Sequence, residues 1–489
     1  MQRTRFLASG TLVAAAALLA PPALAAPPDT SWTHLVALPG WQEGHAIAEA
    51  ADGGVFVGGY SQNAGDTDAL LVRADAGGDT LWTRTYGGPG WEDCRALVVL
   101  PDGGVAMVGQ TKSSGAGESD VYVVRANAGG AVEWEKTWGG AAHDDGQWIE
   151  TLPDGGFAIA GETKSSGAGG SDFLLVRTDS TGATLWEATY GGAGDEDCQW
   201  GHATADGGFV LTGSTTSYGA GGVDAYLVKT DAGGLTEWEA TYGGADRDLT
   251  FSVREVSGGG FVVAGQTRSA VAGDDQFWVF RTDAWGAMLW ESTVGGTQAD
   301  AASSVLPEPG GGFFAAGVAT TGADGLESYL VAMDASGDTT GTLAFHSAPG
   351  WNTWDIAFGL GAASDGGYWV TGQTGLFPVF DLYIARVAGD GAVTAGESVV
   401  AGAAVRAAPN PFRESTTISF RASLPGEAAT VSLFDTTGRL VRTLRAGAGA
   451  PSVAWDGRDA SGRSVAAGVY WCRVDAPTGR VSGRIVRVK

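Results

Sequence analysis

Apolar residues in this chain fall in short runs separated by glycine-rich polar turns. One stretch shows the pattern clearly. Residues 149–152, 156–162, 173–178 and 184–189 read as four strands. Pro153-Asp154-Gly155-Gly156 and Asp179-Ser180-Thr181-Gly182 are tight turns, and Ser165-Ser166-Gly167-Ala168-Gly169-Gly170 is a longer loop. Runs such as Phe173-Leu174-Leu175-Val176 are apolar on both sides, which is what a strand covered on both faces requires. The 3.6-residue spacing of an amphipathic helix is missing.

The pattern repeats. The turn that opens it recurs at Asp52, Asp102, Asp154, Asp206, Gly258, Gly310 and Asp365, with spacings of 50, 52, 52, 52, 52 and 55 residues. A period of this size with four strands per unit predicts a β-propeller of seven blades over residues 31–400. The last unit has no tryptophan strand, so residues 31–38, which carry Trp32, are expected to complete the seventh blade; 392–399 is the competing segment. Trp82, Trp134, Trp186, Trp238 and Trp290 hold one repeat position and should wedge between neighbouring blades. A base recurs at Arg73, Arg125, Arg177, Lys229, Arg281 and Arg386. An acid stands five residues before most of them, at Asp68, Asp120, Asp172, Asp224 and Asp381, and both are expected to serve the architecture.

The two ends differ from the repeats. Arg3 and Arg5, an apolar run over 6–20 and Ala23-Leu24-Ala25 read as a secretory signal peptide, residues 1–25. No later segment is long and apolar enough to span a membrane as a helix. Residues 27–403 carry 14 basic against 49 acidic side chains, and residues from 404 onward 13 against 6. The acidic part should repel nucleic acid and anionic membranes and attract cations or basic peptides. Cys94 and Cys198 hold the same position two repeats apart, too far for a disulfide, and Cys472 lies elsewhere. Residues 401–408 read as a linker. Residues 404–489 alternate apolar and polar positions over about seven short runs, a small Ig-like β-sandwich.

Chemistry has one candidate location. The segments joining successive units end on Gln42, Glu92, Asp144, Glu196, Asp248, Asp300 and Asp355. With the first strand of each unit innermost, these side chains are expected at one mouth of the central channel. Asp93, Asp145 and Asp197 add a second acid, and Trp41, Trp91, Trp148, Trp200, Trp351 and Trp354 lie close by. Acids beside aromatics suit a glycan or a cation such as calcium; the competing expectation is that the acids cap turns. No cofactor or resident metal is expected. The five histidines have no metal-ligand spacing, and no Gly-x-Ser-x-Gly elbow or Asp-x-Asp-x-Asp-Gly calcium loop occurs.

Two resemblances bear on function. The unit Asp-Gly-Gly-Phe, Gly-x-Thr, Leu-Val-Arg-Thr-Asp, Leu-Trp, Tyr-Gly-Gly resembles the DGG-type propeller repeats of large secreted bacterial and archaeal proteins. Residues 404–489 resemble the C-terminal sorting domain of type IX secretion cargo and the related Ig-like domain of flagellar hook-capping proteins. Pro409-Asn410-Pro411-Phe412, Gly468-Val469-Tyr470 and the closing run to Lys489 carry that likeness. It implies type IX-like secretion machinery as a partner, and a place outside or on the outer surface of a Gram-negative cell. Together these predict a non-catalytic binding or adhesion protein with a glycan or surface-protein ligand. A propeller enzyme acting on glycans or using a quinone, and a purely structural surface component, are the alternatives.

Overall fold

The computed structural model describes residues 30–488 except for short stretches, the longest being 346–353, 388–405 and 420–429. The expected signal peptide, the competing strand at 392–399, Pro409, Asn410, Pro411 and Lys489 lie outside the described residues. The described chain is all-β: a propeller followed by a small Ig-like C-terminal domain.

Residues 30–387 form seven antiparallel sheets of four strands. The third comprises Asp144–Thr151, Phe157–Thr163, Asp172–Thr178 and Thr184–Tyr190, in that order across the sheet. Its first strand starts five residues earlier than the apolar pattern suggested. Asp144 and Asp145 pair with Thr163 and Glu162, so polar residues extend the strand. In the last sheet Trp354–Ala362, Tyr368–Leu376 and Val379–Val387 are completed by Thr30–Val36 from the other end of the chain. Trp32 pairs with Arg386 and Val36 with Leu382. The N-terminal segment therefore closes the ring, as its tryptophan indicated.

Two observations show that the ring is continuous. The first strands of successive sheets touch one another all the way round, including Trp41–Glu49 against Trp354–Ala362. They therefore surround the axis. A separate apolar core also fills each of the seven seams; Val36, Ile47, Val57, Trp369 and Leu382 fill the one between last and first sheets. Cys94 and Cys198 sit in two different seams.

The fourth-strand tryptophans do wedge between blades. A Cβ added to Gly234 would stand 2.8 Å from the Trp186 ring of the preceding blade; Gly130 meets Trp82, Gly182 meets Trp134 and Gly286 meets Trp238 in the same way. Each glycine ends the outer turn of its own blade, with φ between 74° and 81° at these four positions. Only glycine accepts both the conformation and the close approach.

The recurring base finds a different partner from its neighbour in sequence. Arg73 binds Asp52, Arg125 binds Asp102, Arg177 binds Asp154, Lys229 binds Asp206 and Arg386 binds Asp365, the acid of the opening turn each time. Where Gly310 replaces that acid, Ala332 replaces the base. Where Gly258 replaces it, Arg281 is kept and donates to the Gly259 carbonyl. The acid five residues earlier caps the loop before its strand: Asp120 accepts from Ala116 and Gly117, and Asp172 from Ala168 and Gly169.

Among the described residues the C-terminal domain has seven strands in two sheets. Arg406–Ala408, Thr416–Ser419 and Ser452–Trp455 form one; Leu440–Arg445, Thr430–Asp435, Gly468–Ala476 and Gly479–Arg487 form the other. The last three residues of the expected linker thus belong to a strand. Phe412, Trp455 and Tyr470 meet at the centre of its core, tilted and edge-to-face, with ring centroids 5.3 and 5.2 Å apart. The Tyr470 hydroxyl donates to the Ala466 carbonyl at 2.7 Å. Phe412 and Tyr470 are core residues here, while Gly468 is exposed at a strand start.

Candidate functional site at the inner rim

The six crossover acids are buried, which corrects the expectation of a ligand site on them at the channel mouth and agrees with the competing one, that they cap turns. Glu92, Asp144, Glu196, Asp248, Asp300 and Asp355 are at most 1% exposed. Asp144 starts the innermost strand of its blade. Its carboxylate accepts from Gly140 N at 2.8 Å, in the crossover arriving from the previous blade, from Ser165 Oγ at 2.6 Å and from Thr163 Oγ1. Glu92 accepts from Gly88 N, Thr111 Oγ1, Lys112 N and Ser113 N at 2.8–3.1 Å. Glu196 and Asp248 repeat this on Gly192 and Gly244, and Asp300 accepts from Thr320 N at 2.7 Å. Backbone amides and hydroxyls are the partners a buried carboxylate needs. Glu92, Asp144, Glu196 and Asp248 thereby latch one blade to the next. Among the described residues no group of three or more His, Cys, Asp or Glu is placed to hold a metal ion.

A second set of polar side chains lies one to three residues further on. In six blades the innermost strand has a bulge at the same place: the ladder skips His45, Gln147, Gln199, Phe251, Ser303 and Phe358. Arg95 takes the equivalent place in the second blade, where Glu92 pairs with Thr111 and Ala96 with Val108. A bulge leaves its extra residue outside the ladder and re-aims the side chain. All seven are half-buried, and they ring the axis.

Two residues before each bulge stands the second ring position, and the blades divide there. Blades one to four carry Glu43, Asp93, Asp145 and Asp197; blades five to seven carry Leu249, Ala301 and Ile356. On the acidic side each carboxylate is bonded by its own bulge residue. His45 Nε2 lies 3.1 Å from Glu43, Arg95 Nη2 2.9 Å from Asp93, Gln147 Nε2 2.7 Å from Asp145, and Gln199 Nε2 2.7 Å from Asp197. Glu162, beside Asp145 in the ladder, meets His143 Nε2 at 3.1 Å. On the other side the bulges are Phe251, Ser303 and Phe358. His45 stacks on Phe358 at 5.1 Å where the two halves meet.

Crowding of like charge marks the acidic half. Burial, then the charge of Asp93, pushes Asp145 well above the usual carboxylate range, despite Arg95. Burial, then Asp197, pushes Glu162 up to about 7. Glu43 is held low: burial would raise it, but the hydrogen bond and charge of His45 outweigh that. Burial, with Lys164 and Lys112 nearby, lowers His143. Asp93, Asp145 and Asp197 were legible as second acids. Glu43, Arg95 and Glu162 were not, although aligning Glu43-Gly44-His45, Asp93-Cys94-Arg95, Asp145-Gly146-Gln147 and Asp197-Cys198-Gln199 against Leu249-Thr250-Phe251 exposes the split.

Residues 408–480 match the FlgD Ig-like domain. No curated protein matches the chain. Among solved structures, PorZ, a surface component of the type IX secretion system of Porphyromonas gingivalis, is 14% identical with a TM-score of 0.43. The match covers 91% of this chain and 59% of PorZ, so the chain spans less than two thirds of that protein. The propeller domain of the Trilobed protease from Pyrococcus furiosus is 9% identical (TM-score 0.41, 73% of this chain, 94% of that one). Puromycin hydrolase is 14% identical (TM-score 0.46, 78% and 61%).

Proposed function

We propose that this is an exported, non-catalytic binding protein, delivered outside the cell or to its outer surface by its C-terminal domain through a type IX-like system. The propeller is its ligand-binding part. The observation that carries the binding reading is the inner rim. Elsewhere most repeats share the same residue types, because the blade needs its turn glycines, wedge tryptophans and latch acids. At the bulge the chain places His45, Arg95, Gln147, Gln199, Phe251, Ser303 and Phe358, which the shared architecture does not dictate. Side chains that vary within a fixed frame, at the inner edge of a ring, are placed to suit a ligand. The match of 408–480 to the FlgD Ig-like domain, together with the sorting-domain likeness of 404–489, supports the export role. Truncation after Val405 in the native host tests it: the shortened chain is expected to accumulate in the periplasm, and normal surface delivery would overturn the export role.

A further inference from the structure

We infer that the inner rim takes an arginine-bearing peptide segment, with the guanidinium against blades two to four and an adjoining apolar side chain against blades five to seven. This rests on the binding reading above and deepens it.

The unmet hydrogen-bonding capacity comes first. Asp145 is 6% exposed, and its Oδ1 has no hydrogen-bond partner; Gln147 serves only Oδ2. Gln110 is 8% exposed, and its Oε1 also lacks a partner, while its amide nitrogens turn toward Asp93. The residues next to them meet across one seam, where a Cβ on Gly146 would come 3.0 Å from the carbonyl of Gly109, and both side chains neighbour Asp93. Arg95 Nε, in the same cluster, is likewise without a partner, so one open donor stands against two open buried acceptors, and a further donor is needed to satisfy both.

Charge fixes what kind of donor. Glu43, Asp93, Asp145, Glu162 and Asp197 lie along this arc, against Arg95, the exposed Lys112 and Lys164, and the imidazoles of His45 and His143. A further cation relieves that repulsion. A cation that carries its own N–H donors would meet both the charge and the open acceptors. A guanidinium offers five N–H donors in a planar fork and is weakly hydrated, which suits two buried acceptors better than an ammonium does.

The opposite wall supplies the second half of the recognition. Leu249, Phe251, Ile356 and Phe358 are half-buried and face the same axis. An apolar side chain next to the arginine would cover them, and burying such surface is favourable.

The test uses the mature full-length chain and three capped dipeptides in calorimetric titrations: acetyl-Phe-Arg-amide, acetyl-Phe-citrulline-amide and acetyl-Ala-Arg-amide. Citrulline keeps the shape of arginine without its charge. Acetyl-Phe-Arg-amide is expected to bind, and the citrulline analogue about tenfold more weakly or worse. Asp145→Asn should weaken the arginine ligands by a similar factor, and Phe251→Ser should erase the preference for Phe over Ala. Asp145→Asn relieves charge crowding, so it should melt no lower than the parent and its binding loss can be read directly. Equal binding of the citrulline analogue, unchanged binding by Asp145→Asn, or no binding at millimolar ligand by the folded parent would each overturn the inference. A thermal shift with calcium and none with acetyl-Phe-Arg-amide would also overturn it. None of these outcomes bears on delivery by the C-terminal domain, which the truncation tests separately.

Discussion

The Tyr190 hydroxyl donates a 2.7 Å hydrogen bond to the carbonyl of Gly234, a residue of the following blade. Tyr86 does the same to Gly130 and Tyr242 to Gly286, each across 44 residues of chain. The tryptophan packed on the same glycine adds a second contact, so one small residue receives both seam anchors of the preceding blade. Gly234→Ala should cost roughly 1–3 kcal/mol, from a positive φ and a clash with Trp186. Tyr190→Phe should cost about 1 kcal/mol. Thermal melting of both variants checks this, and an unchanged Tm for Gly234→Ala would refute the seam account.

The turn pair should show partial coupling. Arg177 is buried and also donates to the carbonyls of Phe157 and Thr178, whereas Asp154 is largely exposed. Arg177→Ala should therefore destabilise more than Asp154→Ala, and a double-mutant cycle should return a coupling of about 0.5–1 kcal/mol. A coupling of zero would mean that Arg177 acts through the carbonyls alone.

The latch acids should be structural. Asp144→Ala leaves the Gly140 amide and two hydroxyls without their acceptor and should cost about 2–4 kcal/mol, more than Asp144→Asn. Replacing Glu92, Asp144, Glu196 and Asp248 together should lower Tm steeply. If the fourfold variant kept the parent Tm and lost only ligand binding, these carboxylates would return to the site.

Acidity should stabilise the rim. Glu162 ionises near pH 4.5 when unfolded and near 7 when folded, so the unfolded state releases its proton first. Stability from this group is present below about 4.5 and is lost as pH rises to about 7, by at most about 3 kcal/mol. His143, Lys164, Asp144, Asp195 and Asp197 act on the same carboxyl. Glu162→Gln should flatten the dependence of Tm on pH in this window; an identical slope in parent and variant would contradict it.

Removing residues 30–36 should open the ring. Val36 leaves the seam core it shares with Ile47 and Leu382, and the backbone of Val379–Val387 becomes an unpaired edge. The deletion should lower Tm and expose the chain to limited proteolysis; an unaltered proteolytic pattern would show that closure contributes little.

Much of the frame was legible because repetition reveals it. The period, the four strands per unit, the wedge tryptophans and the closing role of Trp32 all follow from residues that recur in register. The rim was read less well for the same reason. Counting what recurs selected Glu92, Asp144 and Glu196, which recur because every blade needs a latch. Glu43, Arg95 and Phe251 occupy matched positions with unlike chemistry, so no recurring residue type announces them. The bulge that turns them toward the axis depends on register with the second strand, which hydrophobic alternation does not report. Arg177 pairing with Asp154, 23 residues back, was hidden by a nearer acid, Asp172, which folds onto its own loop.

The closing pair has a mechanical consequence. Thr30 lies opposite Val387, so the chain enters and leaves the ring at the same end of one antiparallel pair. Tension between the two termini would load those hydrogen bonds one after another, as in opening a zip, and not all at once in shear. Seven blades would then yield at the load that parts a single pair. If the protein is tethered through its C-terminal domain with its N-terminus free, drag on the propeller never acts across that pair, and the weakest joint of the ring carries no tension.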